Sequence, residues 1–337
     1  MKVLVTGGGG FLGSAIVRRL VARGDAVRTF QRGEYPELTT LGVECVRGDL
    51  GDADAALAAV RGCDAVIHTA AKAGVWGPYD EYHRANIVGT QNVVAACRAA
   101  SVRRLVHTSS PSVVFDAHDE AGIDERTPYP QQYLAHYPRT KAAAERLVLA
   151  ANSTDLLTVA LRPHLIWGPG DPHLLPRLVA RAKSGKLRLV SRDDNLVDST
   201  YVDNAALAHV LALDALTTAT SEQPPACAGR AYFISNGEPM PMAELINRLL
   251  AAKGVSPVTK RISPRLAYAA GAVLETAYRI LGRSEEPPIT RFVARQLSTA
   301  HWFDLTAARR DLKYGPEVTF AEGLRRISAE KPTSAAS

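Results

Sequence analysis

Short apolar runs alternate with helix-like stretches through the first half of the chain. Residues 2–6, Lys-Val-Leu-Val-Thr, form the first such run and lead into glycines and a helical pattern over 14–23. Further strand-like runs follow at 26–30, 42–50, 64–71, 103–107 and 156–161. Between them the pattern predicts helices over 53–60, from near Tyr82 onward, and from His136 onward. Runs that stay apolar, instead of alternating with polar residues, predict strands covered on both faces, as in a parallel sheet. Strands that alternate with helices predict an α/β fold, a doubly wound parallel sheet. After residue 170 the alternation stops. Helical patterns occupy 174–184 and 205–216, a last strand of the first sheet is expected at 231–235, and 240–330 reads as mainly helical. The chain therefore divides into a dinucleotide-binding part, 1–168 with 198–216 and 231–236 returning to it, and a smaller, mainly helical substrate part, 169–197 and 237–330. Residues 331–337 read as a disordered tail.

The 337 residues include 46% hydrophobic and 22% charged side chains, ordinary values for a globular enzyme-sized chain. A formal charge of +6 invites nucleic acid as a partner, but the arginines are scattered and aromatics make up only 6%. A polyanionic small ligand, such as a dinucleotide, fits this charge better. Cys45, Cys63, Cys97 and Cys227 show no metal-ligand spacing, which suits a reducing cytoplasm and no metal site. The first strand begins at Lys2, leaving no room for a signal peptide. No apolar run reaches the 18 or so residues needed to span a bilayer. The apolar face of 264–283 (Leu266, Val273, Ile280, Leu281) is read as core or subunit packing in preference to membrane contact.

Candidate chemistry collects at the ends of the predicted strands. Gly7, Gly10 and Gly13 stand between a strand and a helix, where glycines permit a tight turn and a helix N-terminus stabilises a pyrophosphate. The second strand ends at Gln31-Arg32, where an NAD site would place an acidic residue for the ribose hydroxyls. A neutral residue followed by arginine suits a 2′-phosphate, which predicts NADP(H). Asp49 ends the third strand, within expected reach of the adenine, and Ala70-Ala71 would let a ligand lie close to the fourth. His68 is read as a packed core histidine, and Asn86 as a brace for the site's backbone. The loop 72–78 brings Lys72 and Trp76 to the presumed mouth. Ser109 and Ser110 follow the fifth strand, and Tyr137 and Lys141 share one helical face. A cation beside Tyr137 is expected to lower the phenol pKa and make it a proton donor or acceptor.

Together, Thr6–Gly13, Asp49-Leu50, His68–Ala71, Asn86 with Gly89-Thr90, Ser110, Tyr137-x-x-x-Lys141, Arg162-Pro163 and Val202-Asp203 resemble the extended short-chain dehydrogenase/reductase superfamily across essentially the whole chain. The stretch 195–204, with Ala208-His209, is similar to its 3β-hydroxysteroid and sterol-carboxylate dehydrogenase branch, though Ser199 stands where phenylalanine is usual. The loop 70–77, His136-Tyr137-Pro138 and Gln31-Arg32 resemble the bacterial OleD-type 2-alkyl-3-oxoalkanoate reductases of olefin biosynthesis. The resemblance implies a Rossmann-type sheet and reversible NADP(H)-dependent reduction of a long-chain 2-alkyl-3-oxo acid. It implies Ser110, Tyr137 and Lys141 as catalytic residues, with Ser110 favoured over Ser109. It also implies Phe11, Leu12, Leu50 and Pro163 as further cofactor contacts. Lys72, Trp76, Ser112 and His164 are candidates for substrate, Lys72 and His164 for its carboxylate. Leu245, Ile246, Leu249, Leu250 and the 266–281 face are expected to wall an alkyl channel. A homodimer, associated with other enzymes of the olefin pathway, is the implied partner state. A steroid dehydrogenase, a nucleotide-sugar epimerase or dehydratase, and a non-catalytic dinucleotide sensor are the alternatives.

Overall fold

The covered apolar runs pair as their pattern requires. In the computed structural model, which describes residues 1–190, 195–218 and 224–330, strand β1 (Lys2–Thr6) leads into helix α1 (Phe11–Ala22). Then come β2 (Ala26–Gln31), β3 (Glu44–Arg47), α2 (Ala53–Val60) and β4 (Ala65–His68). Helix α3 (Gly89–Ala99), β5 (Arg104–Thr108), α4 (His136–Ala150) and β6 (Leu157–Pro163) follow. Helix α5 (Val202–Thr217) and β7 (Arg230–Ile234) complete the sheet layer. Seven strands form one sheet in the order β7-β6-β5-β4-β1-β2-β3, every pair parallel. This is a Rossmann-type doubly wound sheet. Its order reverses between β1 and β4, and ligands bind such sheets in the crevice beyond the strand C-termini at that point.

Alternate residues of one strand feed two cores. Val3 and Val5 pack with Ile16 and Leu20 of α1 and with α5, while Leu4 packs with Ala56 of α2 and Val93 of α3 on the other face. Each fully buried Val or Leu contributes roughly 1.5–3 kcal/mol, so β1 is anchored from both sides. Helix α5 is buried nearly all round, with residues such as Ala205, Leu213 and Leu216 at 0% exposure.

Several features depart from the sequence pattern. A second sheet of four short strands runs in the order Met240–Pro241, Leu196–Val197, His301–Phe303, Glu120–Ile123. Strands of two to four residues are too short to show a period, and the sheet draws 120–123 out of the 1–168 segment to pair with the C-terminal part. The helix expected near Tyr82 starts at Tyr79 and widens into a π-helical turn, His83–Val88, before α3. Ile166–Trp167 and Thr200–Tyr201 form a separate parallel pair. The expected tail, 331–337, lies outside the described residues.

The apolar residues after 240 do not wall a channel. Leu245, Ile246, Leu249 and Leu250 are buried on the helix Met242–Ala252, in the main core. Helix α6 (Pro264–Ile280) buries only its small and acidic side, Ala267, Gly271 and Glu275. Gly271 permits this, because a Cβ there would come within 2.7 Å of the Thr290 backbone. Leu266, Val273 and Ile280, at 60%, 68% and 80% exposure, consequently face outward instead of forming core. Among the described residues no helix is long and apolar enough to cross a membrane.

Candidate active site

The glycine turn after β1 is shaped by close backbone approach. A Cβ on Gly13 would sit 2.1 Å from the Gly7 carbonyl oxygen, so any side chain there would force α1 away from the turn. Helix α1 follows its N-cap Gly10 with no side-chain cap and no acidic residue in its first turn. Its first N–H groups therefore face the crevice without intrahelical partners. They open on a cavity of about 380 Å³ lined by Gly7, Gly10, Phe11, Leu12 and Gly13, by Gln31 and Arg32, by Asp49 and Leu50, and by Ala70 and Ala71. The glycine-loop residues and those expected after β2, β3 and β4 thus lie on one cavity. Pro163, Tyr137 and Lys141 do not line it. Pro163 ends β6 in register with Ile234, inside the sheet.

The cavity's donors and acceptors fit a dinucleotide. Gln31 is buried, and its Oε1 has no hydrogen-bond partner although it lines the cavity. A ribose hydroxyl would satisfy it, since a buried unpartnered acceptor costs about 1–3 kcal/mol. Asp49 is held below the ordinary carboxylate range by the Gly51 N–H, at 2.8 Å, and by Arg84. Tyr35 was not singled out in the sequence. It folds back so that its ring lies where a Cβ on Gly9 would be, 2.1 Å away, and it lines the cavity beside Arg32.

Ser110, Tyr137 and Lys141 come together beyond this cavity. Ser110 precedes a short 3-10 turn, Pro111–Val113, and lies within hydrogen-bonding reach of the Tyr137 phenol. Its Oγ is 2.9 Å from that of Ser112, which is buried behind it. Ser109 instead turns into the buried interior toward Glu145. Lys141 is 3% exposed and donates from Nζ to the Thr108 carbonyl oxygen at 2.5 Å. The end of β5 that presents this carbonyl is held in turn: Thr108 Oγ1 lies 2.8 Å from His209 Nε2, and His209 Nδ1 lies 2.7 Å from the Ala205 carbonyl. That pairing assigns the proton to Nδ1, and burial lowers His209 to about 4, keeping it neutral.

The electrostatics correct the expectation for Tyr137. Its pKa is raised, not lowered, because burial disfavours phenolate and only the Ser110 hydrogen bond opposes it. Lys141 is engaged by Thr108 and is not among the causes acting on the phenol. Burial pulls Lys141 itself down to about 8, with Glu145 opposing. Tyr137 is therefore a fully protonated phenol at neutral pH, placed as a proton donor.

Second residues hold this arrangement. Asn86, in the π-helical turn, accepts from the Lys72 N–H at 2.7 Å, donates to the Lys72 carbonyl at 3.1 Å and to Thr140 Oγ1 at 3.0 Å. It joins the β4 loop to the first turn of α4. His68 is buried between Thr6 and Thr90, 2.7 and 3.0 Å away, and burial lowers it to about 3, a packed core histidine.

A second cavity, about 540 Å³, opens at the start of α4. Trp76, Tyr133, Tyr278 and Phe292 supply its aromatic wall, and His136 and Arg139 also line it. Neither residue expected at a substrate carboxylate lines this cavity. Lys72 lines the other cavity and is paired with Glu81 at 2.7 Å. His164 is buried against His301 and Phe303, and burial holds it neutral. Ser199, the departure from the steroid branch, accepts from the buried Trp167 indole at 3.1 Å. A buried indole N–H needs such a partner, so Ser199 belongs to the packing.

The model of the 3-beta hydroxysteroid dehydrogenase/isomerase family matches residues 4–263. The chain belongs to this family. It is an oxidoreductase of the CH–OH/C=O class. Within the family it is 56% identical over 331 residues to the 2-alkyl-3-oxoalkanoate reductase of Stenotrophomonas maltophilia, covering 98% of this chain and 99% of that one. It is 54% identical to the reductase of the same name from Shewanella oneidensis, covering 96% and 85%. Among solved structures, MoeE5 in complex with UDP-glucose and NAD superposes with a TM-score of 0.74 at 26% identity, covering 97% of each chain.

Proposed function

We propose that this family member reduces a long-chain 2-alkyl-3-oxoalkanoate reversibly to the 2-alkyl-3-hydroxyalkanoate, using NADP(H). The observation that carries the reading is the 56% identity to a reductase of that name over 98% of the chain. The glycine-lined cavity, and Ser110 within hydrogen-bonding reach of Tyr137 on the helix that carries Lys141, support it. Reducing a ketone needs a hydride at carbon and a proton at oxygen. A nicotinamide dinucleotide, held along the glycine turn, Gln31, Asp49 and Ala70-Ala71, supplies the hydride when bound. The protein's own part is the oxygen: Ser110 holds it by hydrogen bond, and Tyr137 gives it the proton. Lys141, buried and cationic below about pH 8, holds the end of β5 through the Thr108 carbonyl, one helical turn from Tyr137.

A graded series of 2-alkyl-3-hydroxy acids, assayed by NADPH formation, tests the substrate class. kcat/KM should rise with alkyl length, each methylene that leaves water contributing up to about 0.8 kcal/mol. UDP- and dTDP-sugars should be inert. The stretch 196–200, where the nucleotide-sugar alternative needs a cation for the diphosphate, contains none and is largely buried in short strands. Turnover of a nucleotide sugar, or no dependence on chain length, would sink the assignment.

The preference for NADP(H) rests on Gln31 and Arg32. Arg32→Asp should weaken NADPH about ten- to a hundredfold while sparing NADH, because a charge-assisted Arg–phosphate bond is worth roughly 1.5–3 kcal/mol. Fluorescence titration of both cofactors reads this directly. A wild type that binds NADH more tightly than NADPH would refute it.

A further inference from the structure

A histidine buried on one face of the sheet is linked to Lys141 on the other. His209 is 0% exposed on helix α5, among Ala205, Ala206, Ala208 and Val210. A polar side chain there costs free energy unless its ring nitrogens are bonded. Helix α5 packs with α1 against Val3, Val5 and Val106. Helix α4 lies across the sheet from it, where Val148 meets Leu105 and Val93 of α3.

One residue of β5 joins the two faces. The pairing of β5 with β4 ends at His68 opposite His107, whereas its pairing with β6 runs on to Thr108 opposite Leu161. The next N–H, of Ser109, donates to the Leu161 carbonyl at 2.6 Å. Neighbouring residues of a strand point their main-chain groups to opposite sides, so the Thr108 carbonyl points past the end of β4. Lys141 Nζ meets it there, at 2.5 Å. The Thr108 hydroxyl lies on the α5 face, 2.8 Å from His209 Nε2. His209 Nδ1–H donates to the Ala205 carbonyl at 2.7 Å, which leaves Nε2 an acceptor only and makes Thr108 the donor. Thr108 thus has a strand neighbour on one side alone, and His209 supplies a second tie. Ser110 follows two residues later.

We propose that His209 is a positioning residue, which holds Thr108 from across the sheet so that Lys141 and Ser110 keep their places about Tyr137. This rests on the reductase reading above, which gives Tyr137 the proton. Stability alone does not call for the pair. Replacing both partners of a buried hydrogen bond by apolar groups of the same shape can be nearly neutral, whereas removing one strands the other. What an apolar pair lacks is direction. It would fix neither the Thr108 rotamer nor, through it, the strand end whose carbonyl Lys141 reaches.

The test separates packing from positioning with Thr108→Val, His209→Leu and the two combined. Each single change should lower the urea midpoint, and the double variant should recover most of that loss. For a 2-alkyl-3-hydroxy acid, kcat should fall about three- to tenfold in all three, the worth of one neutral hydrogen bond. It should not recover in the double variant. Thr108→Ser restores the donor and should return kcat to within about threefold of wild type. The titration of Lys141, read by NMR of labelled lysine side chains, needs no substrate. Around Lys141 stand the Tyr137 phenol, Glu145, ionised and paired with Arg162, and His68 of β4 and His107 of β5, which burial keeps neutral. Lys141 titrates at about 8, and a slackened carbonyl should lower it by roughly half a pH unit, because the ammonium loses an acceptor. A double variant with wild-type kcat and an unmoved Lys141 would reduce His209 to packing and overturn this inference. If the wild type turns over no such acid, the reductase reading falls, and the Lys141 titration decides the positioning role by itself.

Discussion

Tyr137→Phe is expected to cost about 10²- to 10⁴-fold in kcat, the usual worth of a positioned general acid. NADPH affinity should stay close to wild type, because Tyr137 does not line the glycine-turn cavity. Phenylalanine preserves the ring's packing while removing only the hydroxyl that Ser110 reaches. The direction of the pKa shift sharpens the expectation. Burial keeps this phenol protonated, so reduction starts from a loaded proton donor. Lys141 donates instead to the Thr108 carbonyl, and His136 is held neutral by burial and by two arginines. Steady-state rates with NADPH, beside a cofactor titration of the same variant, decide the matter. Turnover near wild type in Tyr137→Phe would show that another group carries the proton.

What could be read from the sequence is what short-range spacing encodes. The glycines at 7, 10 and 13 sit in one turn, so their joint role follows from the strand before them and the helix after. Tyr137 and Lys141 share a helix face for the same reason. Gln31, Asp49 and Ala70 could be placed because each stands at or just past the end of a parallel strand, and the fold brings strand ends together. The misplaced residues depended on partners distant in sequence or on burial. Lys72 looked like a free cation until Glu81 paired with it, and His164 until it was enclosed by His301 and Phe303. Thr108 and His209 lie far apart along the chain, and only the packing of α5 on the sheet brings them together. The apolar stripe of α6 misled for a related reason. Periodicity shows that a helix has two faces, but Glu275 and Gly271 made the less apolar one the buried one.

The largest stability loss is expected at Glu145, one helical turn beyond Lys141 on α4. Its carboxylate is fully buried and takes two hydrogen bonds from Arg162, from Nε at 2.9 Å and Nη2 at 2.7 Å. Tyr129 donates a third at 2.5 Å. Burial alone would raise the Glu145 pKa, but Arg162 outweighs it and leaves the carboxyl below its ordinary value of 4.5. The pair ties α4, which carries Tyr137 and Lys141, to β6, between β7 and β5 in the sheet. Removing one partner strands the other's charge in the interior, where breaking a buried pair costs about 3–5 kcal/mol. Glu145→Gln keeps the shape and leaves Arg162 unpaired, so urea unfolding at neutral pH should show a loss in that range. Replacing both, Glu145→Leu with Arg162→Met, should recover much of it, since well-packed hydrophobic groups of similar volume often match a buried pair. Folding favours the ionised carboxyl, so its stabilisation is complete above the ordinary value of 4.5 and is lost as pH falls through the lower folded value. The gap between wild type and Glu145→Gln should therefore narrow in acid. A loss below about 1 kcal/mol at neutral pH, the range of exposed surface pairs, would show that the Glu145–Arg162 pair does not hold α4 to the sheet.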